Sequence, residues 1–127
     1  MDSSKSVLVI DDASLVRLYY RSILEGAGYQ VEEALNGLEA LEKLLSMTVD
    51  LLIVDVNMPQ MDGLTFLDLL RQKERPVSCI PALVTSTESQ AVDLAAARRA
   101  GANYYLVKPI DRETLLEYAG MLSGRPP

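Results

Sequence analysis

The sequence predicts a doubly wound α/β domain, a five-stranded parallel sheet with helices on both faces. Three observations carry that prediction. Short apolar runs alternate five times with segments of helical periodicity. The connections between them are short, and strict β-α alternation of this kind requires right-handed crossovers and parallel strands. The inner apolar runs are continuous, as in strands buried on both faces.

The elements follow in order. Val7–Ile10 is an apolar strand ending at Asp11 and Asp12. Ser14 to about Ala27 is a helix stopped by Gly28, with Val16, Tyr19, Tyr20, Ile23 and Ala27 as its buried stripe. Gln30–Ala34 is a more polar strand suited to a sheet edge. Asn36 can cap a second helix containing Ala40, Leu41, Leu44 and Leu45. Leu51–Val54 is a buried strand terminated by Asp55 and a turn. Gly63 opens a third helix with Phe66, Leu67 and Leu70 inward. Ile80–Val84 is a fourth strand, leading into Thr85-Ser86-Thr87, and an alanine-rich helix runs from about Glu88 to Ala100, closed by Gly101. Tyr104–Val107 is the fifth strand, ending at Lys108-Pro109. Asp111 can cap a last helix carrying Leu115, Leu116, Ala119 and Leu122, which Gly120 weakens by ~1 kcal/mol relative to Ala. Placing the polar strand at an edge and the runs at 7–10, 51–54 and 80–84 inside gives the order 2-1-3-4-5.

Composition narrows the function classes. The 127 residues suggest one domain over 1–127, with a core from about 6 to 123 and loose tails at 1–5 and 124–127. A net charge of −6 with no basic run argues against a nucleic-acid surface. The lone Cys79 allows no internal disulfide and fits a reducing compartment. Histidine is absent, which removes the commonest zinc ligand and the usual general base. No stretch approaches the ~20 apolar residues of a membrane span, and the N-terminus lacks the apolar segment of a signal peptide. A cytoplasmic location is expected.

The strand ends carry the chemistry. Taken alone, Asp12 reads as a helix cap, Asp55 as a cap or a site centre, Thr85 as a turn residue and Lys108 as a solvated turn. Those readings leave unexplained why the topology brings all of them, with Asp11, to one edge of one sheet. Three neighbouring carboxylates cannot all ionise unpaired without raising their pKa values. A divalent cation resolves the repulsion, and oxygen-only ligands without His or Cys point to Mg²⁺. With a lysine and a hydroxyl added, the set suits phosphoryl transfer.

In order and spacing, the quoted residues resemble the receiver domain of two-component response regulators. The motifs are Asp11-Asp12, Asp55-x-x-Met58-Pro59-x-Met61-Asp62-Gly63, Thr85-Ser86 and Gly101-Ala102-x-x-Tyr105-Leu106-x-Lys108-Pro109, and the resemblance runs from Val7 to Leu122. It implies a flavodoxin-like (βα)5 fold. Flavodoxin and chemotaxis receivers share the 2-1-3-4-5 order, so the order and the resemblance are one expectation rather than two.

The resemblance also implies roles. Asp55 would be the phosphoacceptor, attacking a phosphohistidine of a sensor histidine kinase or a histidine phosphotransfer protein. Asp11 (through water), Asp12, Asp55 and the Asn57 backbone carbonyl would hold Mg²⁺. Lys108 and Thr85 would contact phosphoryl oxygens, Thr85 and Tyr105 would form the switch, and Lys108-Pro109 would be a cis peptide. Leu15, Leu18 and Ser22 share a helical face away from the buried stripe, and the resemblance assigns that helix to kinase docking. Output would be contact with a downstream protein through the fourth helix, fifth strand and fifth helix. The chain would be a monomer or a weak phosphorylation-dependent dimer, catalysing only its own phosphorylation and dephosphorylation. Chemotaxis-type motor control, a phosphate sink or relay, and a receiver excised from a larger regulator all fit.

Two features depart from the family pattern. The Thr85–Lys108 interval is one residue longer, and Tyr104 precedes Tyr105, so the two aromatics should face opposite sides of their strand. Two other classes fit less well. A haloacid-dehalogenase-type phosphatase needs a second Asp where Asn57 stands. A nucleotide-binding fold needs a glycine-rich loop where Asp11-Asp12-Ala13 stands.

Overall fold

The computed structural model describes residues 4–125. Five parallel strands, β1 (Ser6–Ile10), β2 (Gln30–Ala34), β3 (Leu51–Asp55), β4 (Ala82–Ser86) and β5 (Tyr104–Val107), form one sheet in the order β2-β1-β3-β4-β5. Five helices connect and cover them: α1 (Ser14–Gly26), α2 (Gly37–Lys43), α3 (Gly63–Arg71), α4 (Ala91–Ala100) and α5 (Arg112–Ser123). A single 3₁₀ turn, Val77–Cys79, precedes β4.

The continuous apolar strands serve two cores at once, because successive side chains point to opposite faces. Leu8, Ile10, Leu52, Val54, Ala82 and Val84 meet Ala40, Phe66, Leu67, Leu70 and Ala97 on one face. Val7, Val9, Leu51, Ile53 and Leu83 meet Tyr20, Ile23, Leu24, Leu115 and Ala119 on the other. The predicted edge placement of the polar strand holds, with Glu32 and Glu33 on β2 not fully buried. Tyr104 packs on Tyr118 of α5 with ring centroids 4.9 Å apart, while Tyr105 packs against the core of the opposite face. The adjacent aromatics therefore separate as strand geometry requires.

Several boundaries differ from the sequence reading. β4 runs from Ala82 to Ser86 rather than from Ile80 to Val84. Its residues before Ala82 belong to the exit from the 3₁₀ turn and to Pro81, which has no N–H to give a ladder and instead offers its carbonyl to Leu52 N–H at 2.9 Å. The strand consequently reaches through Thr85 and Ser86, both fully buried. α4 begins at Ala91, three residues later than expected, where Gln90 and Asp93 form a reciprocal capping box. α2 closes at Lys43; Leu44 is buried, but Leu45 is 83% exposed and outside the core.

The buried stripe of α1 is Tyr20, Ile23 and Leu24 rather than one including Tyr19. Helical spacing places Tyr19 at the margin of the stripe, where its ring lies outward and its hydroxyl donates to the Ile110 carbonyl at 2.7 Å. The tails are also less loose than expected. Lys5 accepts a backbone hydrogen bond from Gln30 N–H (2.9 Å), and the Arg125 guanidinium lies 4.5 Å over the Tyr29 ring. The rest of that expectation falls on 1–3 and 126–127, outside the described residues.

Candidate functional site

Strand register assembles the site. Ile10 pairs with Val54, so Asp11 follows β1 beside Asp55 at the end of β3. Asp55 pairs with Thr85 on β4. Ser86 pairs with Val107 on β5, and the Lys108 N–H then donates to the Ser86 carbonyl at 2.8 Å. Four strand ends thus converge, as the topology predicts. Two turns position them further. The Ala13 N–H donates to Asp11 Oδ1 at 2.9 Å, orienting that carboxylate, and Arg17 Nη1 holds the Asp11 carbonyl at 2.6 Å. Gly63 packs against the backbone of Asp55; a Cβ there would lie 2.1 Å from the Asp55 carbonyl oxygen. Only glycine permits that approach.

Lys108 bridges the acids. Its Nζ lies 2.9 Å from Asp11 Oδ2 and 3.0 Å from Asp55 Oδ1. Asp11 and Asp55 are buried, whereas Asp12 is exposed at the rim, and one oxygen from each of the three lies within 4.8 Å of the others. Burial and then the repulsion of Asp11 and Asp12 push the Asp55 carboxyl above the usual carboxylate range, against the pull of Lys108. Burial opposes the Lys108 charge, but its bonds to Asp11 and Asp55 outweigh that and raise it. One ammonium among three carboxylates leaves net negative charge in an all-oxygen pocket. That donor set fits a hard divalent cation such as Mg²⁺.

The other predicted residues lie as follows. Thr85 is buried, with its hydroxyl donating to the Val54 carbonyl at 3.5 Å, a weak bond. Tyr105 donates its hydroxyl to the Glu88 carbonyl at 2.8 Å, tying β5 to the β4–α4 connection. The Lys108–Pro109 bond is cis, and so is Arg75–Pro76, which was not anticipated. Asn57 is exposed beyond the end of β3. Leu15 (78% exposed), Leu18 (56% exposed) and Ser22 form the solvent face of α1 and make no part of the acidic pocket. Reading the sequence missed Tyr20 as a site neighbour, since it entered only as a member of the apolar stripe. Its phenol is buried, lines the same cavity as Lys108, and is pushed up to about 12, chiefly by burial. The available signal was a pair of phenol hydroxyls, Tyr19 and Tyr20, on a stripe otherwise made of Val16, Ile23 and Ala27.

A doubly wound sheet whose strand ends hold three aspartates, a lysine and a threonine defines the class of aspartate-centred signalling receivers. The family comparison agrees: the response regulator receiver domain model matches residues 7–119, and the chain belongs to that family. It is 35% identical over 112 residues to the chemotaxis protein CheY of Bacillus subtilis, covering 87% of this chain and 91% of that protein. It is 34% identical over 112 residues to the CAI-1 autoinducer sensor kinase/phosphatase CqsS of Vibrio cholerae, covering 88% of this chain. The chain spans only 16% of the length of that sensor kinase. Among solved structures, the chemotaxis response regulator CheY4 of Vibrio cholerae superposes with a TM-score of 0.87 at 35% identity, covering 94% of this chain and 99% of that one. The fold is thus the CheY-like, flavodoxin-type receiver fold of two-component signalling. No helix among the described residues is long and apolar enough to cross a membrane.

Proposed function

We propose that this receiver takes a phosphoryl group on Asp55 from a phosphohistidine of a sensor histidine kinase or a histidine phosphotransfer protein. The observation that carries the reading is Lys108 Nζ held between Asp11 Oδ2 (2.9 Å) and Asp55 Oδ1 (3.0 Å) at a pocket edge with excess negative charge. An Asp55 carboxylate oxygen attacks phosphorus; the O–P bond forms, the N–P bond breaks, and the imidazole leaves with the N–P electron pair. Lys108, already in contact with Asp55, pairs with a phosphoryl oxygen, and Thr85, opposite Asp55 in register, donates its hydroxyl to another. Asp12, Asp55 and the Asn57 carbonyl, with Asp11 through water, would hold Mg²⁺, which would neutralise charge on the transferring group.

Output follows from the same charges. A phosphoryl group adds negative charge and acceptor oxygens, drawing Thr85 and Lys108 toward it. Tyr105, tied to the β4–α4 connection through Glu88, responds to that movement, and a downstream protein reads the α4–β5–α5 face. Incubation with acetyl phosphate and Mg²⁺ should add one phosphoryl mass, and Asp55→Asn should abolish it. Labelling that survives this substitution, or that proceeds equally in EDTA, overturns the assignment.

A further inference from the structure

Asn36, Asp62 and Asp111 cap α2, α3 and α5 with side-chain oxygens, but the N-cap of α1 is Ala13, whose side chain can accept nothing. The turn entering α1 is also the one that carries Asp11 and Asp12. Arg17, one turn into the helix, reaches back to it. Its Nη1 donates to the Asp11 carbonyl at 2.6 Å, and its Nε donates to Glu33 Oε1 on β2 at 2.7 Å. The Asp11 N–H donates to the Ala34 carbonyl at 3.1 Å. Both polar groups of the Asp11 backbone are therefore tied to β2, one directly and one through the guanidinium. The Arg17 side chain is only 11% exposed, and a charge buried that far needs partners. Glu33 is itself braced, since Arg21 Nε lies 3.1 Å from its Oε2 and the carboxylate sits between two guanidinium groups.

We infer that Arg17, braced by Glu33, is a positioning residue that holds the Asp11–Asp12 turn in the shape that receives a divalent cation. The inference rests on the Mg²⁺ reading of the acidic pocket. A looser turn spends part of its time with its carboxylates turned away, and apparent affinity falls with the competent fraction. The sign of the effect separates positioning from charge. As a bare positive charge near three aspartates, Arg17 repels a cation, so its removal would tighten cation binding. As a positioning residue, its removal weakens cation binding.

The test is calorimetric titration with Mg²⁺ of the parent, Arg17→Met, Glu33→Gln and the double variant, with folding checked by thermal unfolding. Arg17→Met should bind Mg²⁺ about tenfold more weakly, the low end of the cost usual for residues that orient metal ligands. Labelling by acetyl phosphate should then need more Mg²⁺ yet reach the parent's rate at saturation, a split that a damaged fold would not give. Glu33→Gln should weaken Mg²⁺ binding in the parent but add nothing in the Arg17→Met background, because the brace acts through the guanidinium. Unchanged or tighter binding by Arg17→Met, a saturating rate that stays low, or an undiminished effect of Glu33→Gln in the double variant overturns the inference. Each leaves the Mg²⁺ reading intact, whereas a parent protein that binds no Mg²⁺ overturns both. Should Arg17→Met fail to fold, Arg17→Lys decides, since it keeps the charge but cannot span the carbonyl and the carboxylate together. It should bind Mg²⁺ more weakly than the parent; parental affinity overturns the inference.

Discussion

Asp55 ends a strand buried along its whole length, with two other carboxylates near it and one ammonium in contact. Its carboxyl is raised, first by burial and then by its acidic neighbours. The folded state therefore holds a proton that the unfolded chain releases near the ordinary value of 3.8. By linkage, Asp55 contributes stability that is fully present below that value and lost as pH rises through the raised folded-state value. Asp55→Asn removes the ionised form and leaves Lys108 its bond to Asp11. Without added metal, the substitution should stabilise the protein at neutral pH by on the order of 1 kcal/mol, the size usual for single substitutions. The gain should shrink as the pH is lowered toward 4. Urea unfolding at several pH values checks this; a gain that is constant with pH would remove ionisation as its cause.

Helix α3 connects the site to the far end of the sheet. At its start, Gly63 lets the helix press against the Asp55 backbone, and Asp62 caps it by accepting from Thr65 N–H at 2.8 Å. At its end, Arg71 spreads its guanidinium over the Ser78 (3.1 Å), Ile80 (2.6 Å) and Gly101 (2.8 Å) carbonyls and the Asn103 side chain (3.1 Å). Among the described residues, no carboxylate forms an ion pair with Arg71. Arg71 thus works as a fork that closes the end of α4 and the entry to β4, with Gly101 (φ 110°) packed too close for any side chain. Arg71→Ala should cost about 2–4 kcal/mol in urea unfolding, since charge-assisted bonds are lost and half-buried carbonyls are left unpaired. Arg71→Lys should recover less than half, because a point charge cannot span several acceptors. Full recovery by Lys would mean that charge, not the fork, supplies the stability.

Across the whole molecule, the acidic edge of the sheet and the solvent face of α1 adjoin one another. Leu15 and Leu18 lie outward on that face, and the family reading assigns it to the kinase. Leu15→Lys or Leu18→Lys should slow phosphoryl transfer from a cognate kinase about tenfold or more, the effect expected when an apolar anchor is lost from an interface. Transfer from acetyl phosphate, which needs no docking, should be unaffected. Equal slowing with both donors would place the damage in the fold or the site instead.

The sheet order, the strand ends bearing Asp11, Asp55, Thr85 and Lys108, and the acidic pocket were legible because each depends on local signals. Hydrophobic periodicity names the strands, the end of each apolar run marks its polar terminus, and parallel topology brings those termini to one edge. The start of β4 at Ala82, the outward Tyr19 and the Arg71 fork were not legible. Each depends on the rotation of a helix or on the register between chain segments that are distant in sequence. Arg71 reaches Gly101 across 30 residues, and Lys108 meets Asp11 across 97. The sequence by itself determined which residues stand at the strand ends. Only the tertiary structure decided which of them touch, because an offset of one residue in register, or one 100° step around a helix, exchanges one partner for another.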